Sequence, residues 1–444
     1  MGKENSITLN DRERQLLALK EYVTSLAGNN PNGKIEFVGV NVEGTGADKT
    51  RHRLLKAHAL PLLAATTVDE VVAAANSVQT SLNSLDIYQD VMLSIDSPCP
   101  GQLTALINLP SAKRFLAQTG TSFGNGEGSG YIRCTAKNHF GLGEIFTVDT
   151  SVGTRTKSAT LFQASAPLAG VLPLRWRAEL LAYGAEKSVD WASHREQVRG
   201  ATIRITSPKH TFGLDYVLRS LYASKVRPSA TVRSQAGHAT KYSAFYNWNY
   251  DSRNNAFLPT SGALVKVCNE VAAGDYPYLK TCVDFVRGFR ISEKISMSIS
   301  GRCGGLVPLN GQSHISDRFF LGGPLDVRGF RISRLGRNDE GDAVGGDAVM
   351  AGGLSLYAPV PRVSSPNLRL HAFINGGSVR PYGQGVLQTF SNMLSTPPSI
   401  ATGFGLLYAH PAARFELNLT FPLTSHAGEQ SHKGLQFGVG LSFL

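Results

Sequence analysis

The sequence predicts an all-β transmembrane barrel of about 16 antiparallel strands, preceded by one small α+β domain. Three observations predict it: segments of about ten residues that alternate in polarity, no apolar run long enough for a membrane helix, and a composition rich in glycine and poor in charge. A chain of 444 residues is too long for one small domain and long enough for a large barrel with an accessory domain. Apolar residues make up 42% and charged residues only 17%, with 46 glycines, as expected of many strands joined by turns. The most apolar stretch, Leu54 to Ala75, is broken by Lys56, His58, Pro61, Asp69 and Glu70, which excludes a transmembrane helix. The mean hydropathy of −0.09 decides nothing. A porin-type barrel touches lipid only with alternate residues and averages out near neutral, as a soluble β protein does.

Taken in order, residues 1–33 read as a polar extension with one helix, Asp11 to Leu26, ended by Gly28-Asn29-Asn30-Pro31. Residues 34–110 read as an α+β domain. Ile35 to Val42 is strand-like, and Thr50 to Ala65 is helical until Pro61 bends or ends it. Val68 to Leu85 is a second helix, with Val68, Val71, Val72, Ala75, Val78 and Leu82 at spacings of three and four. Asp69 and Glu70 favour its first turn. Ile87 to Ile95 and Leu103 to Leu109 supply two more strands, giving the order βααββ.

From residue 111 to 444 the helical period disappears and dyads replace it. In Ala413 to Phe421, Phe415, Leu417, Leu419 and Phe421 face one way while Arg414, Glu416, Asn418 and Thr420 face the other. The last segment sets Leu435, Phe437, Val439, Leu441 and Phe443 against Gly434, Gln436, Gly438, Gly440 and Ser442. Lys294 to Ser300 behaves likewise, and Tyr242, Tyr246, Trp248 and Tyr250 suit an interfacial girdle. One strand plus its connection takes roughly 21 residues, which suits a membrane strand of about 9–11 residues and a loop. A soluble sandwich would be too large with this many strands, and a closed barrel also removes its own edges. One interval, about 306–347, is Gly-rich, charged and without a clean dyad; a loop of that length usually carries function.

The formal charge of +11 comes from basic residues spread along strand-like segments, with no nucleic-acid motif beside them. A basic lumen or basic membrane rims explain it, and no nucleic-acid partner is expected. Met1 to Asn30 has no apolar core and is not Arg-rich, so neither a secretory signal nor a matrix presequence is expected. Cys99, Cys134, Cys268, Cys282 and Cys303 are scattered, without CxxC, and suit a reduced chain with no zinc site. Enzyme motifs fail in context. Gly120-Thr-Ser-Phe-Gly124 matches G-x-S-x-G, but strand rather than helix follows Ser122. Asn338-Asp-Glu-Gly-Asp342 lacks the rest of a calcium loop and reads as solvated. The histidines show no metal spacing. No catalytic residue, metal or cofactor is expected.

The long interval contains Asp317-Arg-Phe-Phe-Leu-Gly-Gly-Pro-Leu-Asp-Val-Arg-Gly-Phe330. It resembles the core barrel subunit of the mitochondrial sorting and assembly machinery, a relative of the bacterial insertase BamA in the bacterial surface antigen family. Val327-Arg328-Gly329-Phe330 looks like the (V/I)RG(F/Y) motif of that superfamily, in which a long loop folds back into the lumen and its Arg contacts the wall. Gly345 to Pro361 is similar to the family's next strand, and Asp251-Ser-Arg253 with Leu258-Pro-Thr-Ser-Gly262 to another signature. The βααββ domain matches a single POTRA domain. Physically, Arg328 offers five donors to acceptors on the wall, Gly329 permits a tight turn or close approach, and Phe330 can anchor apolar contacts. A plug and a functional lever need the same residues, and the sequence leaves the two open. In bacterial relatives the partner of this Arg is an Asp; here Phe373-Ile-Asn-Gly-Gly377 puts Asn375 there. Asn375 can accept a hydrogen bond but carries no charge, so no Arg–Asp ion pair is expected, and mitochondrial members tend to carry Asn.

The resemblance implies a non-enzymatic insertase of the mitochondrial outer membrane with its N-terminal domain in the intermembrane space. Its substrates would be β-barrel precursors of the porin and import-pore types, and its partners metaxin-like accessory subunits and membrane lipid. Gln436-Phe-Gly-Val-Gly-Leu-Ser-Phe443 resembles the mitochondrial β-signal. The implied gate lies between the first strand, about Lys113 to Gly124, and the last, Gly434 to Leu444. Its named residues are Gly434, Gln436, Gly438, Gly440, Leu441 and Phe443. Glycines without side chains weaken that seam or simply allow close packing. The rivals are a metabolite channel, a polypeptide-translocating channel and a soluble β-structured binding protein.

Overall fold

The computed structural model describes residues 11–26 and 36–440, apart from residues 100–101, 125–126, 170, 173–174, 364, 366, 384 and 412. The chain divides into two units. In the first, helix α1 (Asp11–Leu26) precedes strand β1 (Glu36–Glu43), helices α2 (His52–Leu63) and α3 (Val68–Asn83), and strands β2 (Met92–Cys99) and β3 (Gln102–Asn108). β3 lies in the middle of the sheet, parallel to β1 and antiparallel to β2. The expected βααββ order is therefore present.

Thr67 starts α3 with a capping box: its hydroxyl accepts the Glu70 N–H, and the Glu70 carboxylate accepts the Thr67 N–H in return. The three-and-four spacing then turns Val68, Val71, Ala75, Val78 and Leu82 inward, against Leu62 of α2 and Leu103 and Ile107 of β3. Each large side chain buried this way contributes about 1.5–3 kcal/mol relative to exposure. The strand expected over Ile87–Ile95 begins later, at Met92. Ile87, Tyr88 and Val91 are buried as the sequence suggests, but they lie in a connection. Asp86 and Asp90 adopt positive φ there, and Gln89 and Ala112 bond across to Pro110 and Ile87. An apolar run short enough for a strand served a buried turn instead.

Sixteen strands form one antiparallel sheet in chain order, as expected. They are β4 (Phe115–Gly124), β5 (Glu127–Lys137), β6 (Ile145–Gly153), β7 (Thr156–Pro167), β8 (Arg177–Val189), β9 (His194–Thr206), β10 (His210–Ala223), β11 (Gly237–Asp251), β12 (Ala263–Gly274), β13 (Tyr278–Arg290) and β14 (Ser296–Pro308). The two-residue pair β15 (Asn338–Asp339) and β16 (Asp342–Ala343) stands apart, in the long loop. β17 (Ala348–Pro359), β18 (Leu368–Arg380), β19 (Ser399–Ala409), β20 (Arg414–Thr424) and β21 (Gly434–Gly440) complete the sheet. Ladder order runs from β4 to β21, and among the described residues no ladder joins these two ends.

The second unit is polar inside and apolar outside. On β20, Arg414, Glu416, Asn418 and Thr420 are buried, while Phe415 and Leu417 are exposed. On β10, Phe212, Leu214, Tyr216 and Leu218 are exposed, and Arg219 on the other face is buried. Tyr242 and Tyr250 are exposed on β11, with Tyr246 stacked on Phe212 and Trp248 on Tyr250. Continuous apolar exposure of this extent suits lipid and not water. Among the described residues no helix is long and apolar enough to cross a membrane.

Two departures concern the connections. The strand expected over Lys294–Ser300 extends to Pro308, so the loop between β14 and β17 begins three residues later than its apolar pattern suggested. The β18–β19 connection contains an amphipathic helix, α5 (Val386–Ser395), where no helical period was expected. Its Thr389 and Met393 are buried and Leu387 and Leu394 exposed, a pattern too short to stand out beside the strands.

Candidate functional site

The loop of residues 309–347 lies on the inner face of the sheet, held at its tip, at its base and at a short hairpin. It touches β10, β13, β14, β18, β19, β20 and β21, so the sheet wraps around it. Its tip is Val327–Phe330. Val327 and Phe330 are fully buried in an apolar cluster with Leu321, Leu335, Val349, Val379 and Ala401. Gly329 has φ +83°, and a Cβ there would sit 2.6 Å from the Ala401 Cβ. Both the turn and the close approach therefore require glycine.

Between these residues Arg328 points into the wall. Its guanidinium makes two parallel bonds to Glu416 of β20, Nε to Oε2 at 2.8 Å and Nη2 to Oε1 at 3.0 Å. Arg328 and Glu416 are each 1% exposed. The same carboxylate pairs with Arg414, and Asn418 donates to it at 2.8 Å. Two buried cations thus share one buried anion. The excess charge is spread over neighbours: Arg414 donates to the Phe257 carbonyl at 3.1 Å and to the Tyr357 hydroxyl at 3.3 Å. Arg328 lies 5.0 Å from the Phe373 ring centre and Arg414 5.3 Å from that of Tyr357. His371 stacks between Tyr357 and Phe373, its ring nitrogens 3.0 Å from Asn418 and 3.1 Å from Ser355.

Asn375, expected as the wall partner of Arg328, meets its main chain rather than its guanidinium. With its amide turned to satisfy both neighbours, it accepts the Arg328 N–H at 2.8 Å and donates to the Ala401 carbonyl at 3.2 Å. The charge partner is Glu416, one strand beyond β19. In the sequence Glu416 lies on the polar face of its strand, with no local pattern that gives it a role. A carboxylate flanked by Arg414 and Asn418 on a membrane strand was the available signal, because an intramembrane charge needs a partner.

The base of the loop is the second anchor, outside the Val327–Phe330 motif that the sequence singles out. Asp317 binds Arg219 of β10 at 2.9 Å and accepts the Tyr278 hydroxyl of β13 at 3.0 Å, while Lys280 donates to its carbonyl oxygen at 2.7 Å. The third anchor corrects the reading of Asn338–Asp342 as solvated. Asp342 is buried and accepts from Ser193, from Lys225 at 2.9 Å and from the Ser229 N–H at 3.1 Å. Asp339 accepts from the Thr231 hydroxyl and N–H. These carboxylates fasten the hairpin of β15 and β16 to α4 (Ala230–Ser234) and its flanks.

The last strand, β21, rests on the loop tip. Gln436 accepts the Gly329 N–H at 3.1 Å and donates to the Phe330 carbonyl at 3.1 Å. Just before β21, the His432 N–H reaches the Gly329 carbonyl at 2.7 Å. Gly438 and Gly440 lie under the loop: added Cβ atoms would come within 3.1 Å of Pro324 and 2.8 Å of Leu325. Gly434 has φ +130° with open space beside it. Leu441 and Phe443 lie outside the described residues. Ser122 lies within β4, a strand and not the turn an esterase nucleophile needs.

The family profile described as the Omp85 superfamily domain matches residues 138–443. A SAM50-like protein of Schizosaccharomyces pombe is 33% identical over 401 residues, covering 84% of this chain and 83% of its own. The sorting and assembly machinery component 50 homolog A of Xenopus laevis is 32% identical over 429 residues, covering 91% and 90%. Among solved structures, BamA from Haemophilus ducreyi lacking POTRA domains 1–3 superimposes with a TM-score of 0.73 at 16% identity, covering 97% of this chain and 94% of that one. At that identity the likeness speaks for the fold, which is that of the BamA barrel.

Proposed function

The chain belongs to the Omp85 superfamily, among its sorting and assembly machinery 50 members, and from that premise we propose that it inserts β-barrel precursors into the mitochondrial outer membrane. No bond is made or broken in this activity. A precursor strand entering lipid must have its N–H and C=O groups paired, since each unpaired group costs several kcal/mol there. An end strand of a sheet offers that pairing.

The observation that carries the reading is the setting of β21. It stands at one end of the ladder order, and its inner face rests on the loop tip through Gln436, Gly438 and Gly440 rather than through bulky side chains. In our reading β4 and β21 part as a lateral gate, and the precursor's β-signal pairs with the exposed edge. Gly434, Leu441 and Phe443 belong to the same segment. Arg328, locked to Glu416, fixes the loop tip against which β21 is set, and so keeps the register of the gate. Val327 and Phe330 seat that tip. The N-terminal domain faces the intermembrane space, metaxin-like subunits attend the barrel, and lipid surrounds it. A loop anchored to walls from β10 to β21 argues against an open metabolite channel.

The test is site-specific disulfide crosslinking in isolated mitochondria, with one cysteine in 434–440 and its partner in the β-signal of an arrested porin-type precursor. Crosslinks that vanish when the precursor's signal is mutated are expected. No crosslink at any position of the strand, together with ion conductance by the purified barrel, would overturn the reading in favour of a channel.

A further inference from the structure

Two thiols face each other across one ladder on the inner wall. Cys268 of β12 and Cys282 of β13 are direct register partners. Their neighbours at two-residue spacing fix the face they occupy. Lys266 and Asp284 line an inner cavity of about 380 Å³. On the other side, Glu270 pairs with the inward Lys241, and Lys280 reaches the loop at Asp317. Both cysteines are free thiols, Cys268 exposed and Cys282 partly so. Cys303 registers with Val283 and alternates with the inward Arg302, which puts it on the opposite face.

Directly opposed residues of an antiparallel pair have Cα atoms about 4.5–5.5 Å apart. A disulfide accepts about 4.4–6.8 Å. The backbone therefore already stands where a cross-strand disulfide needs it, two residues along each strand from the Lys266–Asp284 pair that lines the cavity. We propose that Cys268 and Cys282 form a thiol–disulfide exchange site for low-molecular-weight disulfides of the glutathione class. One thiolate attacks the small disulfide, forms a mixed disulfide and expels one small thiolate. The second cysteine then attacks the mixed disulfide and expels the other. Two protein thiols are oxidised, one small disulfide is reduced to two thiols, and the two cysteine protons leave on them. The oxidised form staples β12 to β13 beneath Tyr278 and Lys280, the residues that hold the base of the loop.

The test uses the full chain in detergent micelles, equilibrated from reduced to oxidised glutathione buffer and then alkylated. Oxidation is expected to remove two of the five thiols, lower the mass by two hydrogens and give a peptide pair linked through 268 and 282. Cys303→Ser should leave this unchanged, whereas Cys268→Ser and Cys282→Ser should each abolish it. The unsubstituted chain gives a second measurement that needs no variant. Phenylarsine oxide should bind at one arsenic per chain, protect the same two cysteines from alkylation, and leave with a dithiol but not with a monothiol. The proposal is overturned if Cys268 and Cys282 stay separately alkylatable in oxidised buffer, or if a monothiol strips all of the arsenical.

Discussion

Replacing Glu416 by Gln keeps the shape of the side chain and removes the carboxylate that Arg328 and Arg414 share. Removing one partner of a buried ion pair costs about 3–5 kcal/mol, chiefly through the stranded charge. Replacing Arg328 by Met is milder, because Glu416 keeps Arg414. That change loses charge-assisted bonds worth roughly 1.5–3 kcal/mol. Hydrogen exchange in the full chain measures both, because several loop amides are protected only while the tip is docked. The Gly329 N–H is held by Gln436, the Arg331 N–H by the Gln430 carbonyl, and the Leu335 N–H by the Leu321 carbonyl. With a factor of ten for each 1.4 kcal/mol, E416Q should speed their exchange by about 100–4,000-fold and R328M by roughly 10–100-fold. The double variant should cost less than the sum of the two, since Arg328 is then absent when the carboxylate is lost and only Arg414 is deprived of it. Equal single effects that add in the double variant would refute a carboxylate shared by two guanidiniums.

The remaining expectations follow from the same geometry. Gly329→Ala combines a left-handed φ with a Cβ 2.6 Å from Ala401, at roughly 1–2 kcal/mol for the first and 1–3 kcal/mol for the second. Faster exchange at the loop tip, partly rescued by Ala401→Gly, is the expected result; wild-type exchange would contradict it. Asp317→Asn strands the buried Arg219 and should speed exchange in 313–321 far more than in 324–335, at a cost of roughly 3 kcal/mol; equal loosening of both segments would show that the anchors are not separate. In the N-terminal domain, burial pulls the His58 imidazole down to about 4, with Ser81 Oγ 2.7 Å from Nδ1. The unfolded chain binds that proton near its ordinary value of 6.5 and the folded domain does not. Stability is therefore complete above pH 6.5, falls as pH drops towards 4, and loses at most about 3 kcal/mol. Exchange of the α2 and α3 amides, corrected for its intrinsic pH dependence, should show that slope, and His58→Asn should flatten it. A slope that survives the substitution would assign it to another group.

What the sequence determined by itself was whatever depends on period and backbone chemistry. The two-residue alternation of Phe415 to Phe421 specified a strand with one lipid face and one polar face. The spacing of Val68 to Leu82 specified the inner stripe of α3. The Arg328-Gly329 pair marked a cation beside a residue that permits a tight turn or a close approach. The tertiary structure alone decided what lies opposite what. Arg328 and Glu416 are 88 residues apart in sequence, and no local pattern couples them. They meet because ladder order brings β20 round to the loop tip, where Asn375 on β18 is left with the main chain. The same holds for Asp317 with Arg219, for Asp342 with Lys225, and for the facing thiols of Cys268 and Cys282. A strand's sequence fixes the face its side chains take, whereas their partners are set by register across ladders and by the path of the loop. Both are global properties of the folded chain.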